Sequence, residues 1–339
     1  MPSQIITKAA ITAIIVIFTL SLNAKTYFVK ENTTGKGLSW SDANGDLAAV
    51  LFAASYGDEV WVAGGTYVAS YDNDRTRSFI VSKGVKVLGG FMGNEMTADQ
   101  RNAEKYKVTL SGNIGDLNSA HDNSHTIVLI GGANKNTVLD GFFIADGTAN
   151  SSGATASPSR SGAGLYVMGA SKNNPSTPLI RNCTFYNNHS CDGGGVYNNG
   201  KGGNASPTFV NCNFHSNCAD LDGAAIFNDG RHGGNSSPVF DKCEFSGNEG
   251  SYGGAMCNYG GKGLANPILN NCLFSSNEAY SRGGEVFNMD IEGEAQVAMT
   301  NCKFKENTAS AGVGVYTFSQ NRATGVKKYT YVDVCVKKR

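Results

Sequence analysis

The chain has 339 residues, 43 of them glycine, and its 28 Lys and Arg balance 28 Asp and Glu, so the formal net charge is zero. Glycine lies well above the roughly 7% of ordinary globular chains, and charged residues at 17% lie below the usual ~25%, a balance that suits a turn-dense β protein. With no positive excess there is no field to neutralise phosphates, which removes the electrostatic case for a nucleic-acid partner.

The first segment, 1–24, reads as a secretory leader. Lys8 precedes an apolar run from Ala9 to Leu22, and Leu22-Asn23-Ala24 puts a small residue before a cut at Lys25. A run of this length is short for a membrane span, which favours cleavage over the alternative of an uncleaved anchor, and the cleaved chain is expected to carry no transmembrane segment. No cysteine follows the cut to carry a lipid.

Residues 25–77 predict a cap and a first coil: a strand from Thr26, a glycine-rich loop, a short helix and a strand over Glu59–Val62. Asn44 or Asp46 can cap the helix, Leu47, Val50 and Leu51 form its apolar face, and Tyr56-Gly57-Asp58 ends it. Residues 78–177 hold short apolar runs joined by polar loops, which read as irregular coils. Within them Thr137–Ile144 and Gly162–Val167 match the two blocks of the repeat that follows. Asp146–Ser161 is a Gly, Ser, Ala and Thr insertion, read as a mobile length variation at a turn, or else as a loop gating a ligand groove.

Residues 178–318 repeat one unit five times: PLIRNCTFYNN, PTFVNCNFHSN, PVFDKCEFSGN, PILNNCLFSSN and VAMTNCKFKEN. Cys183, Cys212, Cys243, Cys272 and Cys302 are 29, 31, 29 and 30 residues apart. Phe185, Phe214, Phe245, Phe274 and Phe304 keep step, as do Asn188, Asn217, Asn248, Asn277 and Asn307. A second block (GGGVYN, GAAIFN, GGAMCN, GGEVFN, GVGVYT) puts Asn198, Asn228, Asn258 and Asn288 at intervals of 30. Self-similarity at this period means a stack of repeats. The units alternate like strands and are rich in Gly and Asn, which weaken helices, so each suits one coil of a parallel β-helix. In TFVNCNF the alternation places Val210, Cys212 and Phe214 inward, with Phe209, Asn211 and Asn213 on the other parity. Asn is expected at corners, bonding to turn backbone, and Gly193, Gly223, Gly253, Gly283 and Gly312 at bends where a Cβ would not fit. The five repeated cysteines read as a mainly unpaired inward ladder, any disulfide falling among Cys191, Cys218 and Cys257. Segment 319–339 is a tail in which Tyr329–Val336 alternates like a strand and can cover the last coil.

On these residues the chain resembles exported bacterial proteins with right-handed parallel β-helix, or pectin-lyase-like, repeats. The intact FxxN blocks (FYNN, FHSN, FSGN, FSSN, FKEN) and the degenerate GGA[ILV] partners (closest at GGAM) resemble the repeats of chlamydial polymorphic outer membrane proteins. SWSDANGDLAAVLFAASYGDEVWVAGGTY is similar to the segment that opens many such proteins in the Bacteroidetes. The resemblance implies an all-β, single-stranded right-handed parallel β-helix of about nine or ten coils with a short N-terminal capping helix. It also implies export to the cell surface or outer membrane, the periplasm or the medium. This architecture carries lyases, hydrolases and adhesins alike. The membrane-embedded autotransporter barrel of the chlamydial proteins and the sorting domain of many Bacteroidetes ones are not visible in the sequence.

Two sets of residues are candidates for chemistry. Asp192, Asp222, Tyr252 and Arg282 occupy one repeat position, with Asp220 nearby. Stacked coils would put the two acids about 5 Å apart, the separation of the carboxylates in retaining glycosidases. The bland alternative is that they bond to turn amides. Lys201, Arg231, His232 and Lys262 lie in successive glycine-rich loops and form a cationic edge able to meet an acidic glycan. Asp116, His121, Asp122 and His125 have the residue types for a cation, but not metal-site spacing. No catalytic triad, phosphate loop or dinucleotide fingerprint is present. The expectation is a non-enzymatic glycan-binding, adhesin-like or structural module whose partner is a polysaccharide or a cell-surface glycan or protein, with no cofactor. The alternative is a polysaccharide lyase or glycoside hydrolase working through the Asp192 column, with calcium entering only under the lyase reading.

Overall fold

The computed structural model describes residues 24–169, 171–321, 323–324 and 326–332, so the expected leader lies almost wholly outside the described residues. One regular coil runs as four short strands, Leu179–Arg181 (face A), Thr184–Tyr186 (face B), His189–Asp192 (face C) and Val196–Asn199 (face D). A glycine-rich loop then lifts the chain to the next level. Stacking the coils gives sheets of nine, eight, six and nine strands on faces A to D. Neighbouring coils pair in parallel, the last described strand of face D running antiparallel, and the register follows the sequence phase: Phe185 pairs with Phe214, Phe214 with Phe245, and so on to Phe304. The fold class expected from the sequence, a parallel β-helix with a short capping helix, is the one observed.

The corners decide which side chains face inward. Asn182, Asn211, Lys242, Asn271 and Asn301 all sit at φ between +52 and +56°. A left-handed residue interrupts the pleat, so the strict alternation expected through TFVNCNF fails at Asn211. Phe209 is fully buried, Val210 is half exposed, and Cys212 and Phe214 are buried. Two Phe ladders therefore share the interior. Phe209 stacks on Phe240 at 4.9 Å, Phe214 on Phe245 at 5.0 Å, and Phe209 meets Phe214 edge-on at 5.6 Å. At the bend between faces C and D Gly253 has φ +67°, and a Cβ there would lie 2.1 Å from the carbonyl oxygen of Met256, so only glycine fits.

The repeated asparagines are not on the surface of the corners; they run through the interior as two ladders. Asn248 Nδ2 donates to Phe214 O (2.9 Å) and Asn277 Oδ1 (2.8 Å), and its Oδ1 accepts from the amide of Asn217. Backbone bonding was the right expectation, but each side chain also bonds its counterpart one coil away. A second ladder runs Asn198, Asn228, Asn258, Asn288 to Thr317 at 2.7–3.1 Å. All eight described cysteines are free thiols, and those of the ladder donate weakly to backbone carbonyls, as Cys212 does to Val210 O at 3.5 Å.

At the N-terminal end helix α1, Leu47–Ala53, buries Leu47, Val50 and Leu51 over the first coil, and the Asp46 carboxylate accepts from the amide of Ala49. Asn44 Oδ1 instead accepts from the amide of Asp46. At the other end Lys327–Val332 pairs antiparallel with Val315–Gln320, the covering strand expected there, over its described part.

Candidate functional site

On face D, Val196 and Asn198 point into the coil, which turns Tyr197 and Asn199 outward. The outward position reads Tyr166, Tyr197, Phe227, Cys257, Phe287 and Tyr316 down successive coils. Tyr166 stacks on Tyr197 at 5.4 Å and Tyr197 on Phe227 at 5.1 Å. Although outside the helix proper, this ladder is buried from Tyr166 to Phe287. The side chains that cover it come from both flanks.

One flank is the Asp192 column. Face C strands alternate between four and five residues, and a bulge after Ser190 and Ala219 absorbs the difference, so Asp192 pairs with Asp222, Asp222 with Tyr252 and Tyr252 with Arg282. The structure thus brings together the four residues grouped from the sequence. The bend at Gly193 lays this column against the ladder: the Tyr252 ring lies 5.0 Å from Phe287, and the Arg282 guanidinium 5.4 Å from the ring of Tyr316.

Asp192 and Asp222 are half-buried. Burial pushes Asp192 up to about 6 against the pull of Arg160 and Arg231. Burial and then the neighbouring Asp192 push Asp222 to about 7, against Arg231. The alternative that these acids bond to turn amides fails for Asp222. Among the described residues the donor acting on the pair is the amide of Asp222, on Asp192.

The opposite flank is built on Asp229, which is fully buried. It accepts from Tyr197 Oη (2.7 Å) and from Arg231 Nε (2.8 Å) and Nη2 (2.7 Å), and the guanidinium lies 4.8 Å from the ring of Tyr259. The top of the strip is closed by the insertion. Tyr166 Oη donates to Ala156 O at 2.7 Å, and the amide of Cys191 donates to Arg160 O at 3.0 Å.

The cationic edge resolves into something different from a single row. The amide of Gly202 donates to Arg231 O and that of His232 to Gly261 O, which puts Lys201 level with Arg231 and Gly261 in one column, and His232 level with Lys262 in the next. Arg231 turns inward to Asp229, and Lys262 Nζ lies 3.6 Å from Glu292. A cleft of about 270 Å³ remains between Arg231, His232, Tyr259 and Lys262. The acidic and histidine cluster does not assemble. Asp122 accepts from the amide of Asp116, His125 Nδ1 faces Thr148 O, and no group of three or more metal-type ligands forms among the described residues.

Two features were missed in the sequence. The outer ladder was visible as the residue before the last of each second block (Y, F, C, F, Y), but its burial depends on loops that fold over it. The other is the fully buried Asp140, held by Arg101, by Arg181 Nε (2.7 Å) and by Asn182 Nδ2 (2.8 Å). Asp140 sits one coil above Arg181 on face A, a relation readable from TVLDGFFI laid over PLIRNCTF. Arg101 arrives from a loop with no repeat phase.

No protein-family model matches the sequence. No curated protein does either. Among solved structures, Escherichia coli YbhC superposes with a TM-score of 0.45 at 11% identity, over 91% of this chain and 80% of that one. Pectate lyase Pel9A does so with a TM-score of 0.44 at 12% identity, over 82% and 78% of the two chains. For the pectin methylesterase from Aspergillus niger the values are 0.39, 12%, 84% and 85%. The protein is a parallel β-helix by its own strand register, and at this level of likeness no activity passes to it from these three.

Proposed function

We propose that the protein is an exported, non-enzymatic β-helix that binds a polysaccharide along the Asp192 and Asp222 flank of face D. The observation that carries this is the state of the two carboxylates. They are adjacent, half-buried and almost without protein donors, whereas the same column holds Tyr252, Arg282 and Ala311 in the following coils. The coil therefore does not need acids there. Buried acceptors left unpaired are unfavourable, and sugar hydroxyls supply the missing donors, with the partly exposed ring of Tyr252 beside them.

One observation favours cleavage as a second reading. The two acids lie one coil apart, about 4.8 Å by strand spacing, with values near 6 and 7, so midway between those values they hold roughly one proton between them. Hydrolysis, however, needs carboxylates flanking the scissile bond. Asp192 and Asp222 stand side by side on one flank, and Arg231 across the strip is held by Asp229. Binding is therefore the better fit.

The test is affinity electrophoresis of the purified protein in acidic and neutral polysaccharides, with parallel assays for unsaturated products and new reducing ends. Retardation by at least one polymer, relieved in the Asp192→Asn and Asp222→Asn double variant, without products, is the expected result. Products that vanish in the double variant would establish cleavage. Retardation unchanged by the double variant would remove the site. Fractionation of the expressing cells tests export.

A further inference from the structure

At the opposite corner of the coil, between faces A and B, the loop 98–104 stands off the body and leaves an open trough of about 490 Å³, within the size range of small-molecule sites. Its floor is a register column of face B, Phe143, Thr184 and Asn213. One end is built on the buried Asp140. Arg181 and Arg101 both pair with that carboxylate, with side chains 45% and 17% exposed. Asn182 donates to Asp140, and Asn211 Nδ2 donates in turn to Asn182 Oδ1 at 2.9 Å. The exposed pair Asp99 and Glu104, on the same loop as Arg101, completes the charged lining.

Charge decides what such a trough can take. Arg101, Asp99 and Glu104 line the trough, and Arg181, the buried Asp140 that pairs with both arginines, and Lys107, 5.2 Å from the Phe143 ring, stand beside that lining, so the six charges sum to zero. A charged ligand gains little from a balanced site, because each attraction is offset by a repulsion a few ångströms away. A neutral ligand that both donates and accepts suits it well. The Arg101 guanidinium and the Asn213 amide are donors, the Asp99 and Glu104 carboxylates are acceptors, and the Phe143 ring lies on the floor. Vicinal hydroxyls of a pyranose match both kinds of partner, and its C–H face matches the ring.

We propose that this trough is a carbohydrate subsite for neutral pyranose units, independent of the Asp192 and Asp222 strip. The experiment titrates cellohexaose, xylohexaose and mannohexaose, and an oligogalacturonate of the same length, into the full chain by calorimetry and ligand-observed NMR. The proteins compared are wild type, Asn213→Trp, Phe143→Leu and the Asp192→Asn and Asp222→Asn double variant. Asn213→Trp fills the trough from an exposed position, and Phe143→Leu keeps apolar volume but removes the ring. At least one neutral hexaose should bind wild type. The affinity should fall at least tenfold in Asn213→Trp and several-fold in Phe143→Leu, and stay unchanged in the double variant. The proposal is overturned if none of the three neutral hexaoses binds at millimolar concentration, if Asn213→Trp binds as wild type does, or if the oligogalacturonate is preferred at the Asn213-sensitive site. Binding lost only in the double variant would overturn it too, while leaving the face D reading intact.

Discussion

If burial and mutual repulsion hold Asp222 near 7, then Asp222→Asn should stabilise the protein, and by an amount that grows with pH. The carboxyl rises from its ordinary 3.8 to about 7 in the folded chain. A carboxyl whose folded value is raised costs the fold nothing while protonated in both states, and the loss builds as pH climbs from the unfolded value to the folded one and levels off above it. At about 1.4 kcal/mol per tenfold change in acidity, the penalty approaches about 4 kcal/mol by pH 8 and is about 1.5–2 kcal/mol at pH 5. Asparagine has no such dependence. Its buried amide keeps some desolvation cost, so the expected net gain is about 1–3 kcal/mol at pH 8, shrinking towards zero near pH 4. Urea unfolding of wild type and variant at pH 4, 5, 6, 7 and 8, followed by far-ultraviolet circular dichroism, reads this difference. The sign of the slope is the diagnostic. A variant destabilised at pH 8, or a gain that stays flat between pH 5 and 8, would mean that Asp222 has donors in solution that it lacks here.

Three further predictions concern the scaffold. Asn248→Ala leaves the Asn217 backbone amide without its acceptor and removes the side-chain donor on the Phe214 carbonyl, while Asn277 Oδ1 keeps the Asn248 backbone amide and Asn217 Nδ2 keeps the Phe185 carbonyl. At about 1–3 kcal/mol per orphaned group the loss in denaturant unfolding should be about 2–4 kcal/mol, and a loss under about 1 kcal/mol would show that the ladder adds little. Phe209→Ala should cost about 3–5 kcal/mol, whereas Val210→Ala should stay within about 0.5 kcal/mol; the reverse order would restore the strict alternation read from the sequence. Gly253→Ala forces a Cβ to within 2.1 Å of a carbonyl at φ +67°. It should lose at least about 1–2 kcal/mol, with a wild-type melting temperature as the contrary result.

Repeat phase was enough to place Asp192 beside Asp222 because the 30 residues between them match one full coil, and the bulges on face C absorb the uneven strand lengths. Phase says nothing about the direction of a side chain once a left-handed residue intervenes. That is why Phe209 and Val210 exchange sides around Asn211. The cationic row breaks for a simpler reason: the register step there is 30 residues, which aligns Arg231 with Gly261 and leaves Lys262 level with His232. Arg231 reads as a free surface cation until Asp229 and Tyr259 are seen beside it. The trough was illegible for another reason: Arg101 belongs to an irregular loop and meets Asp140 across 39 residues without any repeat to align them.

In a solenoid each coil supplies nearly the same backbone at each level, so the other coils act as controls for any one side chain. Acids that serve this scaffold can be recognised by their partners. Asp229 is closed off by a phenol and a guanidinium, and Asp140 by two guanidinium groups and an amide. Either would be expensive to ionise in place if those donors were removed. Asp192 and Asp222 lack such closure. They occupy a column where aromatic, cationic and methyl side chains are equally compatible with the fold, and they sit close enough to raise one another's cost of ionisation. A pair that burial and repulsion set against ionisation, at a position where the coils accept other residue types, is what the proposed binding would account for, since sugar hydroxyls bring donors from outside the chain.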